Sequence, residues 1–223
     1  MKNSLKYKAL IFDHDDTCVN STAGLHYPAH VKALKLLRPE EKPVSLQTWF
    51  EKNFSPGFLP FLENELHFTE AELETAFLVW REALSTTIPD FYPGILPFMR
   101  EYRMRGGRIA VVSHSDPEMI RRAYQAKAPD LMPEVIFGWD NDPEKRKPAP
   151  YPALQALAQF NLPPQEVLVL DDLLPGIEMA QRAGIPGAAA GWGHQVPLIR
   201  EAMEKICLRY FRTFEEFEDF LLT

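Results

Sequence analysis

The amino-acid sequence predicts an α/β fold in which a doubly wound parallel sheet carries an inserted block of helices. Three observations lead to this prediction. Short, continuously apolar runs recur along the chain, helical patterns separate most of them, and one long stretch after the first run shows helical patterns only. At 223 residues the chain is long enough for one large domain or two unequal ones.

The predicted strands are short apolar runs that end at polar or small residues. Continuous rather than alternating apolar character is typical of parallel strands that are covered on both faces. The predicted strands span residues 9–12, 109–112, 135–137, 167–170 and, with a weaker pattern, 187–190.

Helix signals fill the intervals between these strands. Asp116 is a typical N-cap residue followed by proline, Gly106 lies where a helix should stop, and Thr213 has capping-box spacing to Glu216. Alternating strands and helices indicate right-handed βαβ units and therefore a Rossmann-like, doubly wound sheet. The predicted helices span residues 94–105, 118–127, 152–160 and 177–183, and a last helix begins at residue 213.

One segment, between Ser21 and Phe91, does not alternate and contains no convincing strand. An insertion after the first strand lies at the carboxyl edge of a parallel sheet, where such folds bind ligands. We therefore predict a core domain of residues 1–20 and 92–223 and a helical cap domain of residues 21–91. The alternative is a helical decoration without a role at the site. The helices predicted in this segment span residues 28–38, 45–53, 57–66 and 70–84.

The charge balance and the cysteines argue against several classes of protein. Lysine and arginine number 24 against 31 aspartate and glutamate residues, a net charge of −7, so no basic stripe for nucleic acid is expected. Cys18 and Cys207 form neither a disulfide framework nor a metal-binding pattern. No apolar stretch approaches the roughly 18 residues of a membrane-spanning helix, and the run at residues 9–12 is too short for a signal peptide. We expect a cytoplasmic protein that acts on neither nucleic acid nor membranes.

Polar side chains follow the predicted strands. Asp13 and Asp15 come directly after the first strand, Ser113 after the second, and Asp171 and Asp172 after the fourth. Because the carboxyl ends of parallel strands meet at one edge, we expect these groups to converge. Carboxylates so close together repel each other unless a cation lies among them, and hard oxygen ligands suit Mg²⁺. A single Asp-x-Asp at a strand end would be weak support, since acidic residues are common in such turns.

Lys147 adds a positive charge just before a predicted helix, in the sequence Lys-Pro-Ala-Pro. An ammonium group and the hydroxyl of Ser113 beside a metal ion would form a clamp for a phosphate group. The ordered residues therefore predict a site that binds a phosphate group beside a metal ion at the carboxyl edge of the sheet.

This ordered set resembles the haloacid dehalogenase (HAD) superfamily, in the subfamily with a helical cap after the first motif that includes phosphoglycolate phosphatases and β-phosphoglucomutases. Residues 12–17 resemble the first motif, Ser113 stands at the second, residues 147–148 at the third and residues 171–184 at the fourth. The motifs are individually weak, but they occur in the right order over nearly the whole chain.

The resemblance implies a role for each matching residue in a Mg²⁺-dependent phosphatase. Asp13 would be the nucleophile that forms an aspartyl-phosphate, and Asp15 would be the general acid and then the general base. Ser113 would bind a phosphoryl oxygen. Lys147 would neutralise charge on Asp13 and on the phosphoryl group.

The resemblance also implies the metal ligands and one further phosphate contact. Asp13, Asp172 and the backbone carbonyl of Asp15 would hold Mg²⁺. Asp171 would either ligate the metal or lie next to its ligands, and both readings stay open. His114 stands where relatives often have asparagine, so we expect it to contact phosphate or substrate.

Several positions depart from the family pattern. Asp16 stands where many relatives have glycine, Gly176 replaces a common aspartate and Leu173 replaces a common serine. The Asp-x-Asp-Asp-Thr form also occurs in the superfamily, so Asp16 is interpreted as tolerated. The change at Gly176 leaves Asp172 as the main metal carboxylate of the fourth motif. His194, after the last predicted strand, is interpreted as a loop histidine.

Other activities use a similar set of residues. A sugar phosphomutase would share them, and such enzymes often carry a cap histidine about one turn after the first motif; His26 stands one residue out of step with it. Dehalogenases of the superfamily lack the second aspartate, which is present here as Asp15. A non-catalytic phosphate-binding regulatory protein would be favoured by loss of Asp13, Asp15 or Lys147, and all three are present. The sequence therefore favours a phosphatase for a small phosphomonoester, such as phosphoglycolate or a sugar phosphate.

Overall fold

Six of the eight strands form one parallel sheet in the computed structural model, which describes residues 5–222 of the chain. The strands are β1 (Ala9–Phe12), β2 (Val19–Asn20), β3 (Asp90–Phe91), β4 (Arg108–Val112), β5 (Val135–Phe137), β6 (Val167–Asp171), β7 (Gly187–Ala190) and β8 (Tyr210–Phe211). The sheet order is β5–β4–β1–β6–β7–β8. The predicted α/β fold is confirmed. β8 escaped prediction because two residues are too short for a recognisable apolar run.

Helices connect these strands and fill the interval between β2 and β3. The α-helices are α1 (Tyr27–Leu37), α2 (Leu46–Phe54), α3 (Phe58–Pro60), α4 (Glu70–Thr86), α5 (Ile95–Met104), α6 (Pro117–Lys127), α7 (Tyr151–Phe160), α8 (Leu174–Arg182), α9 (Pro197–Ile206) and α10 (Phe214–Leu222). Single π-helical turns span Thr22–His26 and Phe61–Glu65, and 3₁₀ turns span Pro129–Leu131, Pro143–Lys145 and Pro164–Glu166.

The central strand β1 is buried on both of its faces. Leu10 and Phe12 pack into a core with α5, α6 and α10, whereas Ala9 and Ile11 pack into a second core with α7 and α8. All four side chains are at most 1% exposed. Burying a leucine, isoleucine or phenylalanine contributes about 1.5–3 kcal/mol. Helices on both faces confirm the doubly wound arrangement.

Two short strands mark where the chain leaves and rejoins the sheet. β2 and β3 pair antiparallel, with Val19 opposite Phe91 and Asn20 opposite Asp90. The expectation of no strand between Ser21 and Phe91 is therefore wrong, because β3 lies at the end of that segment. The pairing partner of β3 is distant in sequence, so no local pattern reveals it. The division into a core domain and a cap domain at residues 21 and 91 stays a prediction.

The helices α1 to α4 have an apolar core of their own and also contact the rest of the chain. Their core contains Leu34, Trp49, Phe61, Leu62 and Phe68. In addition, two phenylalanines of α2 pack in one cluster with apolar residues of α9, namely Phe50 and Phe54 with Ile199 and Met203. Among residues 5–222, no helix combines the length and the apolar character needed to cross a membrane.

Three helix predictions differ from the structure. The capping box at Thr69 and Glu72 is complete, and α4 extends to Thr86, two residues beyond its predicted end. The helix predicted at 57–66 is a single α-turn followed by a π-turn. Helix α9 was missed, although Pro197 at its first position is a typical start signal.

Candidate active site

Three aspartates converge where β1 and β6 end. Asp13 follows β1, Asp171 is the last residue of β6, and Asp172 follows it. One carboxylate oxygen of each lies within 4.8 Å of the others, and all three residues are buried. We call Asp13, Asp171 and Asp172 the acidic cluster. The predicted convergence of these strand-end carboxylates is what the parallel sheet produces.

Lys147 bridges two members of the acidic cluster. Its Nζ donates to Asp13 Oδ1 and to Asp171 Oδ2, at 2.6 Å in each case. The second oxygen of Asp171 accepts a hydrogen bond of 2.9 Å from the backbone N–H of Leu173. Both oxygens of Asp171 are thus engaged in holding the lysine and the following turn.

One ammonium group does not balance three buried carboxylates. Burial raises the pKa of Asp13 well above its usual value, and the neighbouring carboxylates add to the shift although Lys147 opposes it. Burial and Asp172 likewise raise the pKa of Asp171 to about 6, again against Lys147. Three hard oxygen donors that repel one another at this spacing fit a divalent cation of the Mg²⁺ type.

The carboxylate of Asp15, two residues from Asp13, has a different environment. Its Oδ1 accepts from Ser21 Oγ at 2.7 Å and lies 2.9 Å from His26 Nε2. Its Oδ2 accepts from Ser113 Oγ at 3.1 Å and from Ser115 Oγ at 2.6 Å. We call these five residues the Asp15 cluster.

These donors keep Asp15 ionised. Burial alone would raise the pKa of Asp15, but its interaction and hydrogen bond with His26, together with His14 and Ser115, lower it well below its usual value. The two aspartates of the first motif therefore have pKa values shifted in opposite directions, which is a feature of sites that perform acid–base chemistry.

His26 reaches Asp15 because the chain forms a π-helical turn at Thr22–His26. A π-turn holds one more residue than an α-turn. His26 stands one residue away from the position expected of a cap histidine, and the additional residue of the π-turn places it next to Asp15. On its other side, Nδ1 accepts a hydrogen bond of 2.7 Å from Nε1 of Trp80 in α4. Burial lowers the pKa of His26, and Asp15 outweighs burial and raises it. The Trp80 N–H opposes protonation, because a second ring proton would face it.

The two remaining predicted phosphate contacts lie close to the site. Ser113 belongs to the Asp15 cluster, and it also accepts from the backbone N–H of Ser115 at 3.1 Å. His114 Nε2 lies 2.8 Å from the carbonyl oxygen of Lys147, to which it donates. Burial, then the charge of Lys147, lower the pKa of His114 to about 4, so its ring is neutral. Contact of either side chain with substrate stays a prediction.

Asp16 has a backbone conformation that suits glycine. Its φ is 55°, in the left-handed region that favours glycine and, among other residues, aspartate and asparagine. Its Oδ1 accepts from the backbone N–H of Thr22 at 3.3 Å and from the hydroxyl of Tyr92 at 3.4 Å. Burial and the charge of Asp172 raise the pKa of Asp16 to about 7.

Gly176 makes room for Asp171. A Cβ atom at position 176, in the first turns of α8, would overlap the Asp171 carboxylate. Gly176 thus belongs to the same arrangement as Asp171 at the end of β6. Sequence reasoning noted the departure at Gly176 without linking it to Asp171.

Sequence reasoning missed several residues at the site. His194 is buried beside the acidic cluster, with Nε2 3.4 Å from Asp172 Oδ2 and its ring 4.8 Å from that of Phe50 in α2. The distance between His194 and Asp172 is that of an ion pair, but the two groups are not aligned for a hydrogen bond. Its position after β7, at the same sheet edge as the aspartates, is the signal that could have found it. Ser115 likewise follows a strand of the sheet, β4. Trp80 lies within helix α4, and no sequence pattern marks it as a site residue.

Comparisons with known proteins agree with this arrangement. The sequence profile of the haloacid dehalogenase-like hydrolases matches residues 7–184. The phosphoglycolate phosphatase of Thiobacillus denitrificans is 23% identical over 200 residues, which cover 85% of this chain and 86% of that protein. The Nitrosospira multiformis protein of the same name is 25% identical over 186 residues, 81% of each chain.

Two solved structures share the fold. A Lactobacillus plantarum protein provisionally named phosphoglycolate phosphatase has a TM-score of 0.79 and 23% identity, with 96% of this chain and 99% of that chain covered. CbbY from Rhodobacter sphaeroides, solved in complex with phosphate, has a TM-score of 0.71 and 21% identity, with 95% and 96% covered.

Proposed function

The chain belongs to the haloacid dehalogenase-like hydrolase family, and we propose that it is a phosphatase that hydrolyses a small phosphomonoester with the help of Mg²⁺. The observation that carries the proposal is Lys147 held between Asp13 and Asp171, beside Asp172. This arrangement combines a carboxylate nucleophile with positive charge for a phosphoryl group. The relatives named phosphoglycolate phosphatase support a small anionic substrate.

We expect the reaction to proceed in two steps. A carboxylate oxygen of Asp13 attacks phosphorus, the bond from phosphorus to the leaving oxygen breaks, and an aspartyl-phosphate forms. Asp15 gives a proton to the leaving oxygen, then takes one from the water that releases phosphate. Asp15 is ionised in the arrangement described above, as the second step requires. The first step requires a proton on it, so the Asp15 cluster has to loosen when substrate binds.

Mg²⁺ would be held by Asp13, Asp172 and the backbone carbonyl of Asp15. When bound, it supplies positive charge beside the phosphoryl oxygens and so reduces their repulsion by the carboxylates. Because both oxygens of Asp171 are engaged, we assign Asp171 the role of holding Lys147 next to the metal ligands. Lys147, Ser113 and His114 would bind the phosphoryl group.

The helices between β2 and β3 would act as a cap over this site. His26 contacts Asp15 directly, and Trp80 is linked to Asp15 through its hydrogen bond to His26. Phe50 packs against His194, which lies next to Asp172. A cover of this kind excludes water during transfer and limits the size of the substrate. We therefore propose a small metabolite rather than a phosphorylated protein as substrate.

The proposal is tested by phosphate release from p-nitrophenyl phosphate and from a panel of small phosphorylated metabolites that includes phosphoglycolate. We expect activity that depends on Mg²⁺ and is abolished by EDTA. Asp13→Asn should lower the rate by at least about 10³-fold, because the nucleophile is lost.

A matched control is Asp130→Asn, which removes an exposed carboxylate paired with Arg100. We expect it to leave the rate unchanged. Wild-type protein without Mg²⁺-dependent phosphate release, or an Asp13→Asn variant as active as the control, would contradict the proposal.

One observation favours a second candidate, a sugar phosphomutase. His26 contacts Asp15 as a cap histidine would in that enzyme class, because the π-turn at Thr22–His26 corrects its register. The two candidates differ in the fate of the aspartyl-phosphate. Free phosphate as the main product from sugar phosphates supports the phosphatase, whereas an isomerised sugar phosphate would support the mutase.

A further inference from the structure

The bond between Trp80 and His26 joins two helical segments above the site. Trp80 lies in α4 and His26 at the end of the π-turn before α1, 54 residues away. The planes of the two rings are within 26° of each other and their centroids are 5.6 Å apart. The hydrogen bond itself rests on the 2.7 Å distance from Trp80 Nε1 to His26 Nδ1, which lies within the range of protein hydrogen bonds.

Hydrogen-bond chemistry fixes the direction of both bonds of His26. An indole nitrogen is a donor only, so Nδ1 must be the acceptor and carries no hydrogen. A neutral imidazole then carries its hydrogen on Nε2. Nε2 faces Asp15 Oδ1 at 2.9 Å and therefore donates to it. The chain of donors runs from Trp80 through His26 to Asp15.

The surroundings of His26 leave Trp80 as the group that orients its ring. Among residues 5–222, the hydrogen bonds of its ring nitrogens go to Asp15 and Trp80. The His26 side chain is 11% exposed, so water has little access to it. Without the indole N–H, only the bond to Asp15 itself would set the angle of the imidazole.

We propose that Trp80 is a positioning residue: its indole N–H orients His26 and, through His26, ties helix α4 to the acid–base group Asp15. The inference rests on the proposed function, since it assigns Asp15 its role there. Trp80 acts on proton transfer and not on substrate binding, so its loss lowers kcat and leaves KM nearly unchanged.

The experiment is a double-mutant cycle on the full-length protein with Mg²⁺ and p-nitrophenyl phosphate. Trp80→Phe keeps an aromatic ring and removes the N–H. We expect kcat to fall about tenfold, by analogy with the lower end of the loss found when the hydrogen-bond partner of a metal-ligating histidine is removed. His26→Ala should lower kcat at least as much. If Trp80 acts through His26, adding Trp80→Phe to His26→Ala lowers kcat no further.

The matched control is Trp49→Phe, at another tryptophan of these helices that stacks on a histidine, His30, with centroids 4.2 Å apart. Trp49→Phe alone should change kcat only slightly. In the double variant with His26→Ala, the fold-changes of the two single variants should multiply, as expected for independent sites. The proposal is overturned if Trp80→Phe leaves kcat unchanged, raises KM instead, or multiplies with His26→Ala in the same way.

A second measurement needs no change at Trp80. In a ¹H–¹⁵N spectrum, the indole N–H of Trp80 should exchange slowly with water, and His26→Ala should shift it and expose it to exchange. An unchanged Trp80 signal overturns the proposal whether or not the protein is active. Lack of activity in wild type alone would instead contradict the proposed phosphatase function.

Discussion

The acidic cluster and the Asp15 cluster lie side by side, yet their electrostatics are opposite. In the acidic cluster three buried carboxylates share one ammonium group. In the Asp15 cluster one carboxylate is surrounded by four donors. The acidic cluster has more negative than positive charge, whereas both carboxylate oxygens of Asp15 accept hydrogen bonds. The comparison teaches that one Asp-x-Asp can supply both a ligand that needs a cation and an acid–base group that needs none.

Removing Lys147 should have the largest effect, because among residues 5–222 it is the one lysine whose ammonium group contacts the acidic cluster. Lys147→Met leaves buried carboxylates uncompensated, and breaking a buried ion pair costs about 3–5 kcal/mol of unfolding free energy. Urea unfolding without metal measures this loss. Lys127→Met, at an exposed pair with Asp90, is the control and should cost at most about 1 kcal/mol. Equal losses in both variants would mean that the acidic cluster does not depend on the lysine.

Gly176→Ala tests the geometry of the acidic cluster without changing its charge. The added methyl group overlaps the Asp171 carboxylate and forces it away from Lys147. A displacement of about 1 Å at a catalytic group can cost about 10²-fold in rate, so we expect a loss of that size in Mg²⁺-dependent phosphate release. Gly24→Ala, at a glycine with open space around it, is the control. A fully active Gly176→Ala variant would show that Asp171 does not position Lys147.

The pH dependence of stability should separate the two clusters. In the acidic cluster the pKa of Asp171 is raised to about 6 and that of Asp13 is raised as well, so the folded protein binds protons that the unfolded chain has released. The contribution of Asp171 is present below about pH 4 and is lost as pH rises through about 6. Asp15, with its lowered pKa, adds stability above about pH 4.

Thermal unfolding in EDTA and in Mg²⁺ measures this difference. We expect Tm in EDTA to fall between about pH 5 and pH 8, and Mg²⁺ to raise it more at pH 8, where the carboxylates are ionised. The same stabilisation by Mg²⁺ at both pH values would contradict the shortage of positive charge in the acidic cluster.

The smallest effect is expected in the Asp15 cluster, because its donors are redundant. Ser115→Ala removes one of four hydrogen bonds to Asp15. A hydrogen bond to a charged group contributes about 1.5–3 kcal/mol. Because three donors remain, we expect the variant to lose about 1.5 kcal/mol of unfolding free energy. Urea unfolding checks it, with the exposed Ser85→Ala as control. A loss as large as that of Lys147→Met would mean that the Asp15 cluster is no better satisfied than its neighbour.

The sequence predicts the acidic cluster better than the Asp15 cluster for a physical reason. Asp13 and Asp172 follow buried strands, and parallel strands deliver whatever follows them to one edge. His26 and Trp80 meet through the packing of helices 54 residues apart and through a π-turn that no residue pattern announced. Strand-end chemistry is a local property of the sequence, whereas contacts across helices depend on tertiary packing.

Elements of the fold differ in the same way in how far local sequence determines them. Five of the six strands of the central sheet are apolar runs and were predicted, while its sixth strand β8 and the short β3 consist of two residues each and gain their stability from distant partners. Lys147 was predicted at the site from its motif, but its bond to Asp171 depends on the space at Gly176. Such a pairing cannot be inferred from either residue alone.

The antiparallel pair of β2 and β3 has a consequence for the way this chain can change over evolutionary time. The chain leaves the sheet and returns to it at neighbouring positions, Val19 opposite Phe91. In topological terms, everything between these residues is one very long hairpin loop. Its length and sequence can be replaced as a unit without altering the register of any strand that carries Asp13, Ser113 or Asp171. Exchange of this loop would leave Asp13, Ser113 and Asp171 on their strands, and of the donors to Asp15 it would replace Ser21 and His26.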